Sequence, residues 1–549
     1  MNGKYPHGTP IDKEAKIKKV ERGVLSLLLA LVVGAAAFIG GWFGRWAALG
    51  KNKQSLLEAI DTAKERYYQD IDEDALYKSL FSAFEFDRYS AFYTAKDYEK
   101  IAAEREGQNR DAGFSVFSEE SYLQIYAVLE GSSAEEKGLE AGMYFFKYGK
   151  TKDDLKTGNA ENYFSFVSSL KEGETYFVLC GTSERMAQAQ TYEVTNRKEG
   201  AGIALTRKYA PMRIYQVVGN SAADHAGLKR GMYILKFGAS ETELTVGTSS
   251  DLTALISKLT PDQDGNVTFY LQCSFDQDAT DAPVKAITTQ SYQASYCLYR
   301  DSKESYRFWR TDEGMKPVET QEPLSQLNDK TAYIALSEFT GNAAKEFKTL
   351  LAKMKERGRT DLILDLRGNG GGYMDVFVDI ASYMLKDATS GAQKVAYAQF
   401  RNGATVSYSA KSSSFNSYFE QNSHVYILAD EYTASASECL IGALVDYGTV
   451  SFSDIFLHEN AQGVARTYGK GIMQTYYDVS NGNQLKLTSA QIFWPKSGKT
   501  IHDVGVSPTD GAQAIASPLL PDEQDAFLQE AIERIQRVTT TPSAPSGSY

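Results

Sequence analysis

The apolar positions of this chain change period along its length. Between residues 330 and 450, short runs that are apolar at nearly every position alternate with longer stretches of helical spacing. Thr331-Ala332-Tyr333-Ile334-Ala335-Leu336, Leu362-Ile363-Leu364-Asp365-Leu366 and Val425-Tyr426-Ile427-Leu428-Ala429 read as buried strands. Helices are expected from Asn342 to Arg357, over 374–384 and over 436–446, the last with Leu440, Ile441, Ala443, Leu444 and Val445 on its apolar positions. That alternation predicts an α/β layered core, placed at residues 291–515. Near the other end, Leu56, Leu57, Ile60 and Ala63 keep helical spacing, so residues 51–107 read as a helical N-terminal segment.

Between these regions the chain repeats itself. Ile125-Tyr126-Ala127-Val128, Gly131-Ser132-Ser133-Ala134 and Gly138-Leu139-Glu140-Ala141-Gly142-Met143-Tyr144 return as Ile214-Tyr215-Gln216-Val217, Asn220-Ser221-Ala222-Ala223 and Gly227-Leu228-Lys229-Arg230-Gly231-Met232-Tyr233. The offset is 89 residues throughout, and it also carries Ala112-Gly113-Phe114 onto Ala201-Gly202-Ile203. A constant offset marks two copies of one module, expected at 108–197 and 198–290. The pattern resembles the PDZ domains of proteases. The resemblance implies capture of a C-terminal carboxylate in a backbone turn and addition of the peptide to a sheet edge. Gly113 and Phe114 in one copy, and Gly202 and Ile203 in the other, are the candidate turn residues. Which copy receives a peptide stays open, and both could be spacers.

Composition narrows the classes. A net charge of −12 argues against nucleic acid as a main partner. Four cysteines, Cys180, Cys273, Cys297 and Cys439, are too few for a disulfide scaffold and read as buried apolar side chains. Five histidines and no C-x-x-C pair argue against a metal site. Residues 23–44 carry no charge and follow Lys13, Lys16, Lys18, Lys19 and Arg22. That run is long enough to span a bilayer, with residues 1–22 in the cytoplasm and the working domains outside. A cleaved signal peptide ending near Ala35-Ala36-Ala37, giving a secreted or periplasmic protein, is the alternative. Residues 516–549 read as a C-terminal helix and a disordered Thr/Pro/Ser/Gly tail.

The candidate chemistry sits in three segments. Thr433-Ala434-Ser435-Ala436-Ser437-Glu438 joins a buried strand to a helix. A serine there lies where unpaired backbone N–H groups can hold an oxyanion. The bland reading is a capping box between Ser435 and Glu438. Gly368-Asn369-Gly370-Gly371-Gly372 ends another strand and lets backbone approach a ligand closely. It lacks the phosphate-cradling G-x-x-x-x-G-K-[ST] pattern. Gly469-Lys470-Gly471 supplies a lysine, and a Ser–Lys pair can run acyl transfer without histidine. As a base it must lose its proton near neutrality, roughly 3 units below the free value of about 10.4, which burial can bring about.

Together "LILDLRGNGGG", "ADEYTASASECLIGALVDYG", "TYGKGIMQ" and "LKLTSAQIFWPKSGKTIHDVGVSP" resemble the C-terminal processing peptidases, or tail-specific proteases. The resemblance runs over residues 55–515 and is most specific over 330–510. It implies a serine endopeptidase with no metal or organic cofactor, acting on protein or peptide substrates through their C-termini. It makes Ser435 the nucleophile, Lys470 the general base and Gln474 the residue that orients it. The oxyanion hole would come from Ala436 and the glycine turn, Gly371 or Gly372. A homo-oligomer is compatible with all of this. The rival of another class is a weakly active or inactive peptidase-like scaffold whose PDZ copies bind protein C-termini. Ser437 competes as nucleophile, and His458 and His502 invite a Ser–His mechanism. Residues 454–463 read as a loop insertion carrying His458, and Asp365 with Arg367 as a structural ion pair.

Overall fold

The computed structural model of the chain describes residues 87–540 apart from 117–120, 159, 183–188, 198–199, 210–211, 312–313, 387–392, 412–414, 461–462 and 518–523, together with scattered residues between 57 and 80. The chain divides into two units, residues 1–85 and 86–549. In the first, the described residues between 57 and 80 are helical apart from Asp72. The uncharged run 23–44 and the tail 541–549 lie outside the described residues. Among the described residues, no helix is long and apolar enough to cross a membrane.

An eight-stranded sheet forms the centre of the second unit. Thr331–Leu336, Asp361–Asp365, Val425–Ala429, Ile455–Glu459 and Gln513–Ala516 lie side by side in parallel. Cys297–Arg300, Ser305–Thr311 and Gly314–Thr320 extend the sheet antiparallel. Alternate residues point to opposite faces. Ile334, Leu362, Leu364, Ile427 and Leu457 pack with the helices Ala343–Glu356, Met374–Met384 and Ala436–Asp446. Tyr333, Ile363, Tyr426, Leu428 and Phe456 pack on the other side, under the helix Ala526–Thr540. Cover on both faces is why these strands are apolar throughout.

Two expectations change here. The core does not stop at 515: Phe527, Leu528, Ala531, Ile532 and Ile535 recur at helical spacing and bury against the sheet, so the C-terminal helix is one of its layers. Residues 454–463 are not a loop insertion, because Ile455–Glu459 pairs with Val425–Ala429 and with Gln513–Ala516. Its Ile455, Phe456 and Leu457 are the residues that a strand between two layers requires.

A second sheet is built on Gln484–Phe493, which pairs with Ala91–Tyr93, Lys394–Phe400 and Ile472–Asp478. It brings residues 87–93 beside the segment that follows Lys470. Residues 51–107 are therefore not helical throughout. Ala91–Tyr93 is a strand, and the helix Ala95–Arg105 starts after it, with Thr94 Oγ1 accepting from Asp97 N–H.

The two repeats fold into five-stranded modules, but their expected boundaries are wrong. Phe114–Val116 pairs with Met212–Val217, and Ile203–Tyr209 pairs with Ser121–Val128. Each copy's glycine turn thus serves the other copy. Residues 121–209 form one module, inserted into a second made of 114–116 and 212–288. The repeat offset could not reveal this, because the two turn segments are equivalent and only cross-strand pairing chooses between them. Both turns need glycine: a Cβ on Gly113 would lie 1.9 Å from Ser221 Cβ, and one on Gly202 would lie 2.2 Å from Ser132 Cβ.

The outer module is fastened to the core. Asp224 meets Arg307 at 2.7 Å, Lys229 meets Glu322 at 2.7 Å, and the His225 and Trp309 rings lie 4.7 Å apart. Burial opposes ionisation of Glu322, yet Lys229, Arg307 and Arg300 hold its carboxyl down to about 2. Bonds of the inserted module run inward, as from Thr195 N–H to Ser133 Oγ, Arg197 to Glu136, and Tyr163 to Tyr176.

Candidate active site

The buried strand Val425–Ala429 ends at Asp430, whose carboxylate accepts from the N–H groups of Gly368, Tyr432 and Thr433. Thr433 Oγ1 donates to Leu366 O at 2.8 Å. These bonds turn the chain sharply and tie it to the end of the neighbouring strand. Ser435 follows with φ 58° and ψ −114°, a conformation rarely adopted by a residue with a side chain. Such strain at a strand-to-helix turn is the geometry that presents a nucleophilic hydroxyl. The helix Ala436–Asp446 begins at the next residue, where the first backbone N–H groups have no partner within the helix.

The glycine loop lies against this turn. A Cβ on Gly371 would fall 2.7 Å from Ser435 Cβ and 2.8 Å from Ala436 N, so no side chain fits there. Asn369 is buried and staples the two loops. Its carbonyl accepts from Ala434 N–H at 3.0 Å and from Ser437 Oγ at 3.0 Å, and its side chain donates to Leu336 O at 2.8 Å. The same side chain accepts from Gly371 N–H at 2.9 Å. Gly371 is therefore not an oxyanion donor in this structure. The N–H groups of Gly372 and Ala436 keep no acceptor among the described residues.

Glu438 does more than cap the helix. It is fully buried and receives Ser435 N–H at 2.9 Å, Lys470 N–H at 2.9 Å, Gly469 N–H at 2.8 Å and Thr467 Oγ1 at 2.5 Å. Burial pushes its carboxyl up, against the pull of these donors. One carboxylate thereby joins the serine turn to the lysine loop.

The glycines around Lys470 answer to a second squeeze. A Cβ on Gly471 would meet His502 N at 2.7 Å, and one on Gly469 would meet Gly505 N and Val504 N at 3.1 Å. Asp503 N–H donates to Gly469 O at 2.8 Å, so residues 501–505 clamp the loop. Burial, then the nearby Lys486 charge, lowers the pKa of Lys470. Its Nζ sits 4.7 Å from the centroid of the Tyr89 ring, and Tyr89 Oη lies 3.0 Å from Tyr468 Oη. Among the described residues, no hydrogen bond joins Lys470 Nζ to Ser435 Oγ. Among the described residues, no hydrogen bond joins Gln474 to Lys470 Nζ. Gln474 lies opposite Thr488 in the strand pair and donates to Thr488 Oγ1 at 3.1 Å. Thr488 N–H in turn donates to Ser90 Oγ at 3.2 Å.

Ser437 and His458 are occupied elsewhere. Ser437 is buried and donates to Asn369 O. His458 is buried in the central sheet, with Nε2 at 2.8 Å from Ser517 O. His502 lies beside the lysine loop, 3.6 Å from Asp503. Asp365 and Arg367 form an ion pair at 2.6 Å that also takes in Asp525. All four cysteines are free and buried, and no metal-binding cluster occurs among the described residues. Sequence reasoning missed Asn369, Tyr89 and the span of Glu438. Only Glu438 left a local signal, three residues beyond Ser435.

The outer module reaches this site directly. Arg230 donates to Arg367 O at 2.9 Å and pairs with Asp430 at 2.7 Å, while Tyr215 Oη donates to Gly368 O at 2.9 Å.

Residues 330–510 match peptidase family S41. A carboxyl-terminal-processing protease of Synechocystis sp. is 31% identical over 207 residues, 38% of this chain and 43% of that protein. The carboxy-terminal processing protease CtpB of Bacillus subtilis is 29% identical over 256 residues, 45% of this chain and 49% of that protein. The chain thus spans about half the length of the curated relatives it matches. A putative S41 protease from Bacteroides fragilis, solved by crystallography, covers 86% of this chain and 91% of its own at 15% identity and a TM-score of 0.44.

Proposed function

We propose that this member of the S41 peptidases is a serine endopeptidase in which Ser435 is the nucleophile and Lys470 the general base. The observation that carries the reading is the strained Ser435 turn, at the N-terminus of the helix Ala436–Asp446, held against the glycine loop at Gly371. Neutral Lys470 takes the Ser435 proton as Oγ attacks a peptide carbonyl. The oxyanion is held by Gly372 and Ala436 N–H. The lysine ammonium then gives its proton to the departing amine, leaving an acyl-enzyme. Lys470 next takes a proton from water, whose oxygen attacks the ester, and returns it to Ser435 Oγ as the ester C–O bond breaks, which releases a carboxylic acid and leaves Lys470 neutral again. No step calls on a cofactor.

Protein C-termini are the proposed substrates, with the two modules acting as PDZ-like receptors or levers. The contacts of Arg230 and Tyr215 with the glycine loop favour a lever role for the outer module. The uncharged run 23–44 would anchor the enzyme, with its catalytic part outside the cytoplasm. A second reading, a resting or weakly active form, is favoured by Lys470 lying on the Tyr89 ring and not on Ser435.

The test is proteolysis of an unfolded protein by the full-length chain beside Ser435→Ala, with a serine-reactive fluorophosphonate as a second readout. The parent is expected to cleave and to be labelled, and Ser435→Ala to lose at least about 10³-fold in rate and all labelling. Labelling without cleavage would point to the resting form. Cleavage by Ser435→Ala would remove the serine from the mechanism.

A further inference from the structure

A cavity of about 590 Å³ opens between the outer module and the central sheet. The strand Cys297–Arg300 tells which face of the sheet it uses. Cys297 and Tyr299 pack with the helices on one side, so Leu298 and Arg300, which line the cavity, point to the other. Tyr333 and Asp365 line it from the neighbouring strands, and Tyr333 packs under the C-terminal helix. The helix Ala436–Asp446 covers the opposite face, and Ser435 is not among the lining residues. The outer module closes the cavity with Tyr215, Arg230, Met232 and Phe275.

The guanidinium groups in its walls differ in how far they are used. Arg367 is spent on Asp365 and Asp525. Arg230 donates through Nη1 to Arg367 O and through Nη2 to Asp430, and Arg300 Nη2 donates to Glu322 at 3.1 Å. The Nε atoms of Arg230 and Arg300 are buried with no hydrogen-bond partner among the described residues. A buried donor on a charged group is costly to leave unpaired, so an acceptor brought in from outside is favoured there. Asp430 and Glu322, which offset these two charges, are not among the lining residues. A carboxylate matches guanidinium N–H groups in charge and shape. A phosphate dianion would meet Asp365 and Asp525 on the same walls, and like charges repel. Leu298, Met232 and Phe275 are half-buried and apolar, which suits an apolar body of small-molecule size.

We propose that this cavity binds a small organic acid, its carboxylate on the uncommitted guanidinium N–H groups and its alkyl or aryl body against Leu298, Met232 and Phe275. Arg230 also holds the Arg367 carbonyl next to the glycine loop, so the acid sits at the joint between the outer module and the core. The proposal stands apart from the peptidase reading, because its readout is binding. The experiment is calorimetric titration of the full-length chain with octanoate and with 3-phenylpropanoate, beside octanamide as the neutral control. Saturable binding of at least one acid is expected, with a raised melting temperature, and octanamide should bind at least about tenfold more weakly than octanoate. Leu298→Trp fills the cavity and should abolish binding. Arg300→Met removes one of the two donors while Glu322 keeps Lys229 and Arg307, and should weaken binding about tenfold. It serves as the second variant should Leu298→Trp misfold. No saturable binding of either acid would leave the cavity to water and overturn the proposal. Equal binding of octanamide and octanoate, or unchanged binding in both variants, overturns it as well. If the tripeptide Ala-Ala-Leu with a free carboxylate binds and neither acid does, the occupant is a peptide end and the small-acid assignment falls.

Discussion

The serine turn and the lysine loop are built in opposite ways. Around Ser435 the supports are buried and mostly backbone-directed: Asn369, Asp430, Thr433 and Glu438 hold the turn through bonds of 2.8–3.0 Å. At Lys470 the backbone is held as firmly, by Glu438 and residues 501–505, but the side chain is not. Its ammonium rests on a ring that belongs to residues 87–90, far away in the chain. The proposed nucleophile, at a helix N-terminus, is set by local turn chemistry. The proposed general base, at the end of a four-carbon stem, is set by whatever covers it.

Removing the amine tests the looser half most strongly. Lys470→Met should lower kcat/KM by about 10²- to 10⁴-fold while leaving thermal stability near that of the parent, as read by steady-state cleavage and a melting curve. The pH profile sharpens the same point. Because burial and Lys486 depress the Lys470 pKa, cleavage should rise with pH through a midpoint below the free-lysine value of about 10.4. Lys486→Met removes a like charge, so the midpoint should move up. A midpoint that stays put or moves down would detach the profile from Lys470.

Glu438→Gln probes the link between the halves. The amide keeps the volume but offers one acceptor oxygen where four donors now converge. Loss of about 1–3 kcal/mol of stability is expected, with kcat falling roughly 10- to 100-fold, as for other residues that support a reacting group, and KM little changed. A variant that loses stability yet keeps the parental kcat would leave Glu438 a structural residue only.

The smallest effect is expected at Tyr89. A cation–π contact is worth about 0.5–1 kcal/mol at such a site, and it favours the charged lysine in its parked position. Tyr89→Ala should therefore raise the cleavage rate about 2- to 5-fold. A fall in rate would mean that the ring positions the lysine productively, and the contrast between the two halves would narrow.

Much of this site was legible because its causes are short in range. A strand, a turn and a capped helix put Ser435 at a helix N-terminus, and Gly371 could be read as a close approach. The structure took away one reading of that glycine, because its N–H is spent two residues back on Asn369. The placement of Gln474 has a longer-range cause. Its side chain faces its cross-strand neighbour Thr488, and that pairing depends on the register between Ile472–Asp478 and Gln484–Phe493. His458 looked like a loop residue until the strand Ile455–Glu459 took its place inside the sheet.

The repeats draw the same line. Two copies of a module follow from the sequence alone, since a pattern recurring at 89 residues needs no tertiary information. That each glycine turn completes the other copy does not follow, because equivalent edge strands compete for equivalent partners and only the folded chain's cross-strand hydrogen bonds decide. The sequence by itself determined the layered α/β core, the duplicated module, and the serine, lysine and glycine turn that make a peptidase reading possible. Those features rest on periodicity and turn chemistry within a few residues. Tertiary structure alone decided which backbone N–H groups stay free, that Glu438 spans both halves of the site, and that Tyr89 covers Lys470. Each of these joins residues far apart in the chain, and only burial and hydrogen-bond geometry connect them.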